Sequence, residues 1–336
     1  MGATTRPLYG RGELERLLAP RSIAIVGISQ NPGGFGNRTL ANLDAYRGAI
    51  YLVNPKYESL DGRRCHPSLA ALPESPDCVV VALPREAAEA ALRQCAEVNA
   101  GGAIVFASGY GETGKPERIA EQARLAAIAQ ESGLRLLGPN CIGFANNLLG
   151  AGVLFQPGYE TIRRADGRVG IVSQSGALGY SLAQGAMHGM AATHVLASGN
   201  SSDVDVCDLA SYLIEVPGCG AIALVFEGAK EPARFLALGE KALAAGKPVV
   251  VFKMGIGSEG AAAAKSHTGT LAGSAAAYEA ACRRAGFVVA RGFDEVNELA
   301  AFLAKAGAPR AHGVAVMATS GGAAVMAADA AQDLGV

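Results

Sequence analysis

The sequence has no tryptophan, few aromatic residues and no long apolar run. Its apolar stretches are interrupted by Gly, Pro or charged residues well before the roughly 18 residues that a membrane-spanning helix needs. The N-terminus has no basic segment followed by an apolar one, so no secretion signal is predicted. The seven cysteines are scattered without short paired spacings, which argues against a zinc site or a disulfide framework. We therefore expect a cytoplasmic protein with no membrane segment and no metal site.

A large net charge of either sign is also missing. Lys and Arg number 29 against 30 Asp and Glu, which gives a formal charge of −1. No overall field would attract this protein to nucleic acid or to an anionic membrane. With 336 residues, half of them hydrophobic, the chain is long enough for about two domains with separate cores.

Short β-branched runs alternate with Ala- and Leu-rich stretches, the pattern of parallel sheets with crossover helices. The pattern predicts an α/β fold that begins with a Rossmann-like domain at 21–149, after an N-terminal extension at 1–20. The strands of this domain are predicted at residues 22–26, 49–53, 78–82, 102–106 and 135–137, and its helices at 85–98 and 116–132.

A second alternation follows a Gly- and Pro-punctuated stretch, which we interpret as a linker at 150–166. It predicts a flavodoxin-like, doubly wound domain at 167–308. Its strands are expected at residues 169–172, 194–197, 221–226, 249–253 and 288–290, with a helix at 232–245. Residues 314–321 then repeat the pattern of 169–176, which favours duplication and the start of a truncated flavodoxin-like third domain at 309–336. A chance likeness between two strand-turn-helix openings is the alternative.

The turn after the first strand, residues 27–36, is rich in glycine and precedes a helix. Glycines let backbone amides approach a phosphate, and a helix N-terminus favours its negative charge. The spacing is not Gly-x-Gly-x-x-Gly, and the second strand leads into Asn54, Pro55 and Lys56, where nicotinamide enzymes carry an acidic residue. A lysine there suits a phosphorylated ribose, so coenzyme A is the predicted nucleotide and NADP is the alternative.

The motif Ser173-Gln174-Ser175-Gly176 lies at another strand-to-helix turn. A hydrolase nucleophile elbow needs glycine two residues before the serine, and this chain has Ser173 there. Hydroxyls and amides at a helix start favour a phosphate cradle. Simple capping of the helix by Ser175 explains the motif equally well.

Glu227 and His267 are the candidates for the chemistry. Glu227 follows an apolar strand, at the edge where α/β sheets bind ligands. His267 lies among small residues, which leave room for a large anionic group. A carboxylate can hold one imidazole N–H and keep the other nitrogen nucleophilic, so the two residues form a possible pair. An exposed glutamate and an ordinary loop histidine are the alternatives.

In the order of these motifs the chain resembles the α subunit of succinyl-CoA synthetase and, more closely, the NDP-forming acyl-CoA synthetases that fuse this subunit to further domains. The resemblance covers about 22–336, and its most specific parts are residues 138–143, 170–176 and 266–269. It implies an acid–thiol ligase that forms acyl-CoA from a carboxylate, CoA and ATP. The intermediates would be a phosphohistidine at His267, partnered by Glu227, and an acyl phosphate.

The resemblance also implies the binding residues. Helix openings that cradle the phosphohistidine fall on Asn140, Cys141, Ser175 and Gly176. The coenzyme A contacts fall on four turns, at Gly27, Ser29, Asn31, Gly33, Gly34, Asn54, Pro55, Lys56, Leu83, Pro84, Phe106, Ala107 and Ser108. The first of these turns contains Pro32 and is longer than its counterpart in the α subunit, which is a departure from the family pattern.

The ATP-grasp module with which the family binds ATP and Mg²⁺ has no counterpart in this sequence, and no Walker motif is present. The resemblance therefore implies an ATP-grasp domain or subunit as partner, a small carboxylic acid or acyl-CoA as substrate, and an oligomer. The alternative function is a non-catalytic CoA-binding module of a scaffold or acetyltransferase-like protein. The intact residues 266–269 argue against it.

Overall fold

The computed structural model describes residues 6–228, 231, 233–257, 275–306 and 313–335. The described residues up to Ala304 form one compact unit that contains two seven-stranded sheets, and the segment from Lys305 onward forms a second unit. Helices accompany both sheets. The predicted α/β class is therefore confirmed.

The first sheet is parallel apart from one edge hairpin. Its strands are β1 (Ser22–Val26), β2 (Ala49–Val53), β3 (Ser59–Leu60), β4 (Arg63–His66), β5 (Cys78–Val81), β6 (Gly102–Val105) and β7 (Arg135–Leu137). The order is β3-β4-β2-β1-β5-β6-β7, and only β3 and β4 pair antiparallel among these strands. Every residue of β1 and β5 is buried, as expected for parallel strands covered on both faces.

Four helices surround this sheet. They are α1 (Arg11–Leu18), α2 (Phe35–Ala41), α3 (Arg85–Glu97) and α4 (Pro116–Ser132). Helix α4 begins with proline at its first position and ends at Gly133 with φ 75°, the usual start and stop residues of a helix. Helix α1 lies within residues 1–20, where the sequence predicts only an extension. It contacts β5, β6 and β7 through the fully buried Leu14, Leu17 and Leu18.

The second sheet adds an antiparallel hairpin to a parallel core. Its strands are β8 (Gly143–Asn146), β9 (Ala151–Leu154), β10 (Val169–Ser173), β11 (Ala192–Ala197), β12 (Ala221–Phe226), β13 (Val249–Lys253) and β14 (Val288–Val289), in the order β14-β13-β12-β10-β11-β8-β9. The hairpin β8-β9 comes from the end of the predicted first domain and from the predicted linker. A Cβ at Gly143 would lie 2.0 Å from the carbonyl oxygen of Val153, so only glycine permits this close strand approach.

The helices that follow are α5 (Tyr159–Ile162), α6 (Gly176–Ala183), α7 (Val206–Glu215), α8 (Arg234–Ala244), α9 (Ala275–Arg284) and α10 (Phe293–Ala306). Helix α7 is capped by Asp205, whose carboxylate accepts the amides of Cys207 and Asp208. In the second unit, helix α11 (Gly321–Leu334) has no buried residue. Among the described helices, none has both the length and the apolar character to cross a membrane.

An ion-pair network ties the N-terminal segment to α7 and α8. Asp208 is fully buried and accepts a hydrogen bond from Arg6 at 2.6 Å and from the backbone amide of Tyr9 at 2.8 Å. The buried guanidinium of Arg234, the first residue of α8, pairs with both Asp205 and Asp208. Buried charges of this kind are tolerated because each has an opposite partner and hydrogen bonds.

Candidate active site

Three polar residues converge at the carboxyl ends of adjacent strands in the second sheet. Gln174 follows β10, Glu227 follows β12, and Lys253 ends β13. The register pairs Ser173 with Val225 and Phe226 with Lys253, so the three strand ends lie side by side. Glu227 and Lys253 are only 8% and 7% exposed. Ligands of open α/β sheets bind at this edge.

The side chain of Gln174 holds the backbone that carries Glu227. Its Oε1 accepts the amides of Glu227 at 2.6 Å and Gly228 at 3.1 Å, while its Nε2 donates to the carbonyl oxygen of Gly228 at 2.7 Å. Three hydrogen bonds from one amide group to two consecutive residues fix the turn after β12. The position of the Glu227 carboxylate is therefore coupled to the turn before α6.

Lys253 places a positive charge beside this carboxylate. Burial lowers the pKa of its ammonium, and the negative charge of Glu227 acts in the opposite direction. The ammonium donates to the carbonyl oxygen of Met254 and lies 5.1 Å from the ring centroid of Tyr278. The strand ends thus bring together a carboxylate and a cation in a largely buried setting.

The side chains of the two serines before α6 hydrogen-bond to the backbone of the turn and of the helix start. The Oγ of Ser173 donates to the carbonyl oxygen of Ser175 at 2.7 Å, and the Oγ of Ser175 accepts the amide of Leu178 at 3.5 Å. Ser175 is the N-cap of the helix, as the capping interpretation predicts. Its hydroxyl is engaged with the helix, and the helix N-terminus remains a favourable place for an anion.

The predicted helix opening at Asn140 and Cys141 is wrong. These residues follow β7 through a bend, and the chain continues as the strand β8, which pairs antiparallel with β11. The amide of Asn140 donates to the carbonyl oxygen of Ala107 at 2.8 Å, and its side-chain amide donates to Asn200 at 3.2 Å. The assignment of both residues to phosphate binding stays a prediction, without a helix N-terminus to support it.

The Cys141 thiol is part of the packing. It is 3% exposed, and burial raises its pKa to about 12. Its Sγ donates to the carbonyl oxygen of Ala197 at 3.0 Å and accepts the amide of Gly143 at 3.3 Å. A neutral, hydrogen-bonded thiol is a poor nucleophile, so Cys141 positions the chain between β7 and β8.

Residues 140–142 also reach the start of α6. A Cβ at Gly176 would lie 2.5 Å from the side chain of Ile142, so the side chain of Ile142 covers the first residue of this helix. The structure therefore brings the two predicted parts of the phosphate site, Asn140–Cys141 and Ser175–Gly176, into one neighbourhood. Glu227 lies in the same region, because the side chain of Gln174, the residue before Ser175, accepts the amide of Glu227.

The predicted CoA turns lie at the carboxyl edge of the first sheet. Gly27 has φ 96°, and a Cβ there would lie 2.5 Å from the carbonyl oxygen of Ala82 and 2.9 Å from Leu83, so glycine is required. The turn that follows is shaped by its own side chains. The Oδ1 of Asn31 accepts the amide of Gly33, its carbonyl oxygen accepts that of Gly34, and Ser29 exchanges hydrogen bonds with Asn37.

The turn after β2 leaves a cation exposed. Asn54 donates to the carbonyl oxygen of Ile28 at 2.6 Å and accepts the amide of Lys56 at 3.0 Å, which joins this turn to the first one. Pro55 and Lys56 are exposed, and Lys56 forms no ion pair within the described part of the chain. An exposed ammonium beside a glycine turn fits the phosphorylated ribose of coenzyme A.

The remaining predicted contacts complete this edge. Pro84 is the N-cap of α3, and Phe106, Ala107 and Ser108 follow β6. Ala107 is joined to Asn140 by the hydrogen bond described above, so the last CoA turn meets the phosphate neighbourhood. His267 lies outside the described residues, and its placement beside Glu227 stays a prediction.

Sequence reasoning missed Gln174 and Lys253 as site residues. Gln174 lies inside the Ser-Gln-Ser-Gly motif, and Lys253 is the last residue of an apolar strand. For Lys253, the signal in the sequence is a charged residue at the carboxyl end of an apolar strand. The role of Gln174 required the pairing of β10 with β12, which one sequence does not reveal.

Two family models match the chain. A CoA binding domain matches residues 21–147, and a succinyl-CoA ligase like flavodoxin domain matches residues 166–303. These ranges contain the two candidate edges, one in each match. The match to the CoA binding domain also includes β8, a strand of the second sheet, so its end does not coincide with the boundary between the two sheets.

Two curated relatives and one solved structure are similar to this chain over most of its length. The chain is 34% identical over 318 residues to the α subunit of acetate–CoA ligase (ADP-forming) II of Pyrococcus furiosus, a match that covers 94% of this chain and 68% of that subunit. It is 34% identical to acetate–CoA ligase (ADP-forming) I of Archaeoglobus fulgidus, covering 96% of this chain but only 46% of that enzyme. The dinucleotide forming acetyl-coenzyme A synthetase 1 of Ca. Korarchaeum cryptofilum, solved with phosphate and ADP, superimposes with a TM-score of 0.87 at 30% identity. That match covers 96% of this chain and 69% of the other.

Proposed function

Because the chain belongs to the NDP-forming acyl-CoA synthetase family, we propose that it is the CoA-binding and phosphohistidine half of an acid–thiol ligase. The observation that carries the proposal is the fixed position of Glu227 at the end of β12, next to the turn that opens α6. A carboxylate held beside a helix N-terminus can orient an imidazole and leave room for a phosphoryl group. The reaction forms acyl-CoA from a carboxylic acid, CoA and ATP.

Each edge has a role in this proposal. His267 accepts the phosphoryl group, Glu227 holds the opposite imidazole nitrogen, and the backbone at Asn140, Cys141, Ser175 and Gly176 surrounds the phosphoryl oxygens. Lys253 adds positive charge beside them. At the first sheet, Lys56 pairs with the 3′-phosphate of CoA, and the thiol end points toward Ala107 and Asn140. Dividing one condensation into phosphoryl and acyl transfers is the usual benefit of a covalent intermediate.

The chain spans about half the length of the Archaeoglobus enzyme. We propose that the ATP half of the reaction, with its Mg²⁺, is carried by an ATP-grasp domain or subunit that docks onto this half. The acid is a small carboxylic acid, and the assembly is an oligomer in the cytoplasm.

We also propose that residues from Gly313 onward open a third, flavodoxin-like domain. The segment 314–318, which repeats a strand pattern, is not a strand in the structure, and α11 follows it. Val316, Met317 and Met326 are 52%, 100% and 74% exposed, which supports the proposal that further residues of such a domain would cover them. Limited proteolysis should cut within 306–312 and leave a stable core. Unfolding of the second sheet on removal of residues 313–336 would show that the segment belongs to that sheet instead.

The proposed function is tested by labelling. The enzyme containing this chain and its ATP-grasp partner is incubated with ATP labelled in the γ-phosphate, or with acyl-CoA and labelled phosphate. A phosphohistidine is acid-labile and base-stable, so label of that stability is expected on this chain. The variant His267→Ala should take up no label.

The matched control is His188→Ala, because His188 is an exposed histidine in the same domain. It should label as the native chain does. Label that persists in His267→Ala, or that survives acid as a phosphoserine does, would move the chemistry to another residue such as Ser175 and overturn the proposal.

A further inference from the structure

Three phenylalanines from three separate segments form a cluster at the carboxyl edge of the first sheet. Phe35 opens α2, Phe106 follows β6, and Phe155 follows β9 of the second sheet. The rings of Phe35 and Phe155 are stacked with centroids 4.1 Å apart and an interplanar angle of 13°. Phe106 meets Phe155 edge-on at 5.0 Å. The cluster is therefore shared between the two sheets.

The cluster runs from the core to the surface. Phe106 is 4% exposed, whereas Phe35 is 45% exposed although it stacks on Phe155. The buried member fixes the arrangement, and the outermost ring keeps a large part of its apolar surface in water. An exposed aromatic surface on a fixed support, at a ligand-binding edge, indicates a contact for an apolar group.

Two contacts link the cluster to the candidate phosphoryl site, toward which the thiol end of CoA points in the proposed function. The amide of Phe155 bonds to the carbonyl oxygen of Ile142 at 3.4 Å, and Ile142 covers the first residue of α6. Phe106 directly precedes Ala107, which accepts the amide of Asn140. The cation that would take the 3′-phosphate, Lys56, follows β2 on the opposite side of β1 from β6. Phe106 and Phe155 thus lie toward the candidate phosphoryl site, and Phe35 meets them from the end of the glycine turn.

We propose that Phe35 and Phe155 form the wall on which the acyl group of the substrate rests, and that this wall favours aromatic or bulky apolar acids over acetate. The inference rests on the proposed function, since it needs CoA to lie along the first sheet. A flat ring offers an acyl group stacking as well as burial, and stacked aromatic pairs add to the free energy that burial alone provides. An acetyl group is too small to use this surface.

The test measures the binding of stable CoA thioethers by calorimetry, with S-benzyl-CoA, S-ethyl-CoA, CoA and 3′,5′-ADP as probes. The native chain should bind S-benzyl-CoA roughly tenfold more tightly than S-ethyl-CoA, the scale of one added aromatic contact. Phe35→Leu keeps apolar bulk but removes the flat ring, so the preference should shrink to about twofold or less. Phe35→Tyr keeps the ring and should keep the preference.

The matched control is Phe302→Leu, which removes a phenylalanine that is 65% exposed on α10. It should leave all four affinities unchanged. Equal binding of S-benzyl-CoA and S-ethyl-CoA to the native chain, or a preference that survives in Phe35→Leu, would overturn the inference while CoA binding upholds the proposed function. Weaker binding of 3′,5′-ADP to Phe35→Leu would make the cluster an adenine platform and also overturn it. Failure of every probe to bind would overturn both proposals.

Discussion

The two sheets expose very different carboxyl edges. At the first sheet, Lys56 and Phe35 are exposed, and the polar side chains of Asn31 and Asn54 hydrogen-bond to the backbone of the turns after β1 and β2. At the second sheet, Glu227 and Lys253 are buried, and Gln174 fixes the turn that carries the carboxylate.

This difference agrees with the proposed separation of CoA binding at the first sheet from phosphoryl transfer at the second. Buried charges are costly and persist only where opposite charges and hydrogen bonds compensate them, so their presence at a strand end marks a site whose electrostatics matter. Exposed cations and rings on self-supported turns suit a large, partly solvated ligand. The first edge therefore fits CoA, and the second fits phosphoryl transfer.

The largest expected effect concerns the buried ion pairs beside the second sheet. Arg234→Met leaves the carboxylates of Asp205 and Asp208 short of a partner, and removing one member of a buried pair should lower the free energy of unfolding by about 3 kcal/mol. Urea unfolding measures this loss. The matched variant at the first sheet is Arg21→Met, because the Arg21 side chain is 88% exposed and Asp77 keeps Arg16. A loss as large in Arg21→Met would remove the energetic contrast between the sheets.

The next expected effect is on the rate at which the chain is phosphorylated. Gln174→Met keeps the length of the side chain but loses all three hydrogen bonds to Glu227 and Gly228. A carboxylate displaced by about 1 Å should slow phosphorylation of the chain roughly 10- to 100-fold, while the final extent of labelling and the affinity for CoA stay unchanged. Gln94→Met, on the exposed face of α3, is the control. A parallel loss of CoA affinity in Gln174→Met would point to general misfolding.

At the first sheet, a variant of Lys56 tests recognition of the 3′-phosphate of CoA. Lys56→Ala should reduce the preference for CoA over dephospho-CoA by about tenfold or more, because a charge-assisted contact to the 3′-phosphate is lost. Calorimetric titration with both ligands measures it. Lys115→Ala removes another exposed lysine of the same domain and should change nothing. Equal affinity of the native chain for the two ligands would exclude Lys56 from this role.

A further effect, confined to acid, is the pH dependence of stability that a buried histidine of the second sheet should contribute. His194 in β11 is 1% exposed, and neither ring nitrogen has a hydrogen-bond partner within the described residues. Burial lowers its pKa from the ordinary 6.5 to about 3. Between these values the unfolded chain binds one more proton, so the free energy of unfolding should fall by about 1.4 kcal/mol per pH unit as the pH drops below 6.5.

The variant His194→Leu should lose this part of the slope in acid unfolding curves. Tyr212 packs edge-on against the His194 ring, with centroids 5.8 Å apart, and a phenol does not titrate in acid. Tyr212→Leu should therefore lower stability and keep the slope. An unchanged slope in His194→Leu would show that other groups dominate acid unfolding.

The sequence predicted the parallel strands well and the irregular elements poorly. Strands such as Ala49–Val53 and Ala221–Phe226 agree residue for residue, because both are short apolar runs bounded by turn residues. The hairpin β8-β9 lies where the sequence predicts a domain end and a linker, because its glycines and short strands have the sequence pattern of a loop. Helix α1 was missed because its three buried leucines find their partners only in the folded sheet.

The candidate site was predicted where the motifs are local. The Gly27 turn and the Ser175 cap follow from adjacent residues. The hydrogen bonds of Gln174 to Glu227 and the position of Lys253 depend on which strands are neighbours, and a single sequence does not specify strand order. The wrong helix at Asn140 came from carrying a helix opening over from the resemblance, while the strand pairing of Gly143–Asn146 with β11 determined the fold there.

The proposed division of labour between the two edges can be tested with one pair of variants. CoA affinity and the rate of acid-labile labelling at His267 are measured in Lys56→Ala and in Glu227→Gln, each combined with the proposed ATP-grasp partner. Lys56→Ala should weaken CoA binding and leave ATP-dependent labelling at the native rate. Glu227→Gln should do the reverse, with slow labelling and native CoA affinity. If each variant loses both properties, or if Glu227→Gln labels at the native rate, the two edges do not divide the work in this way.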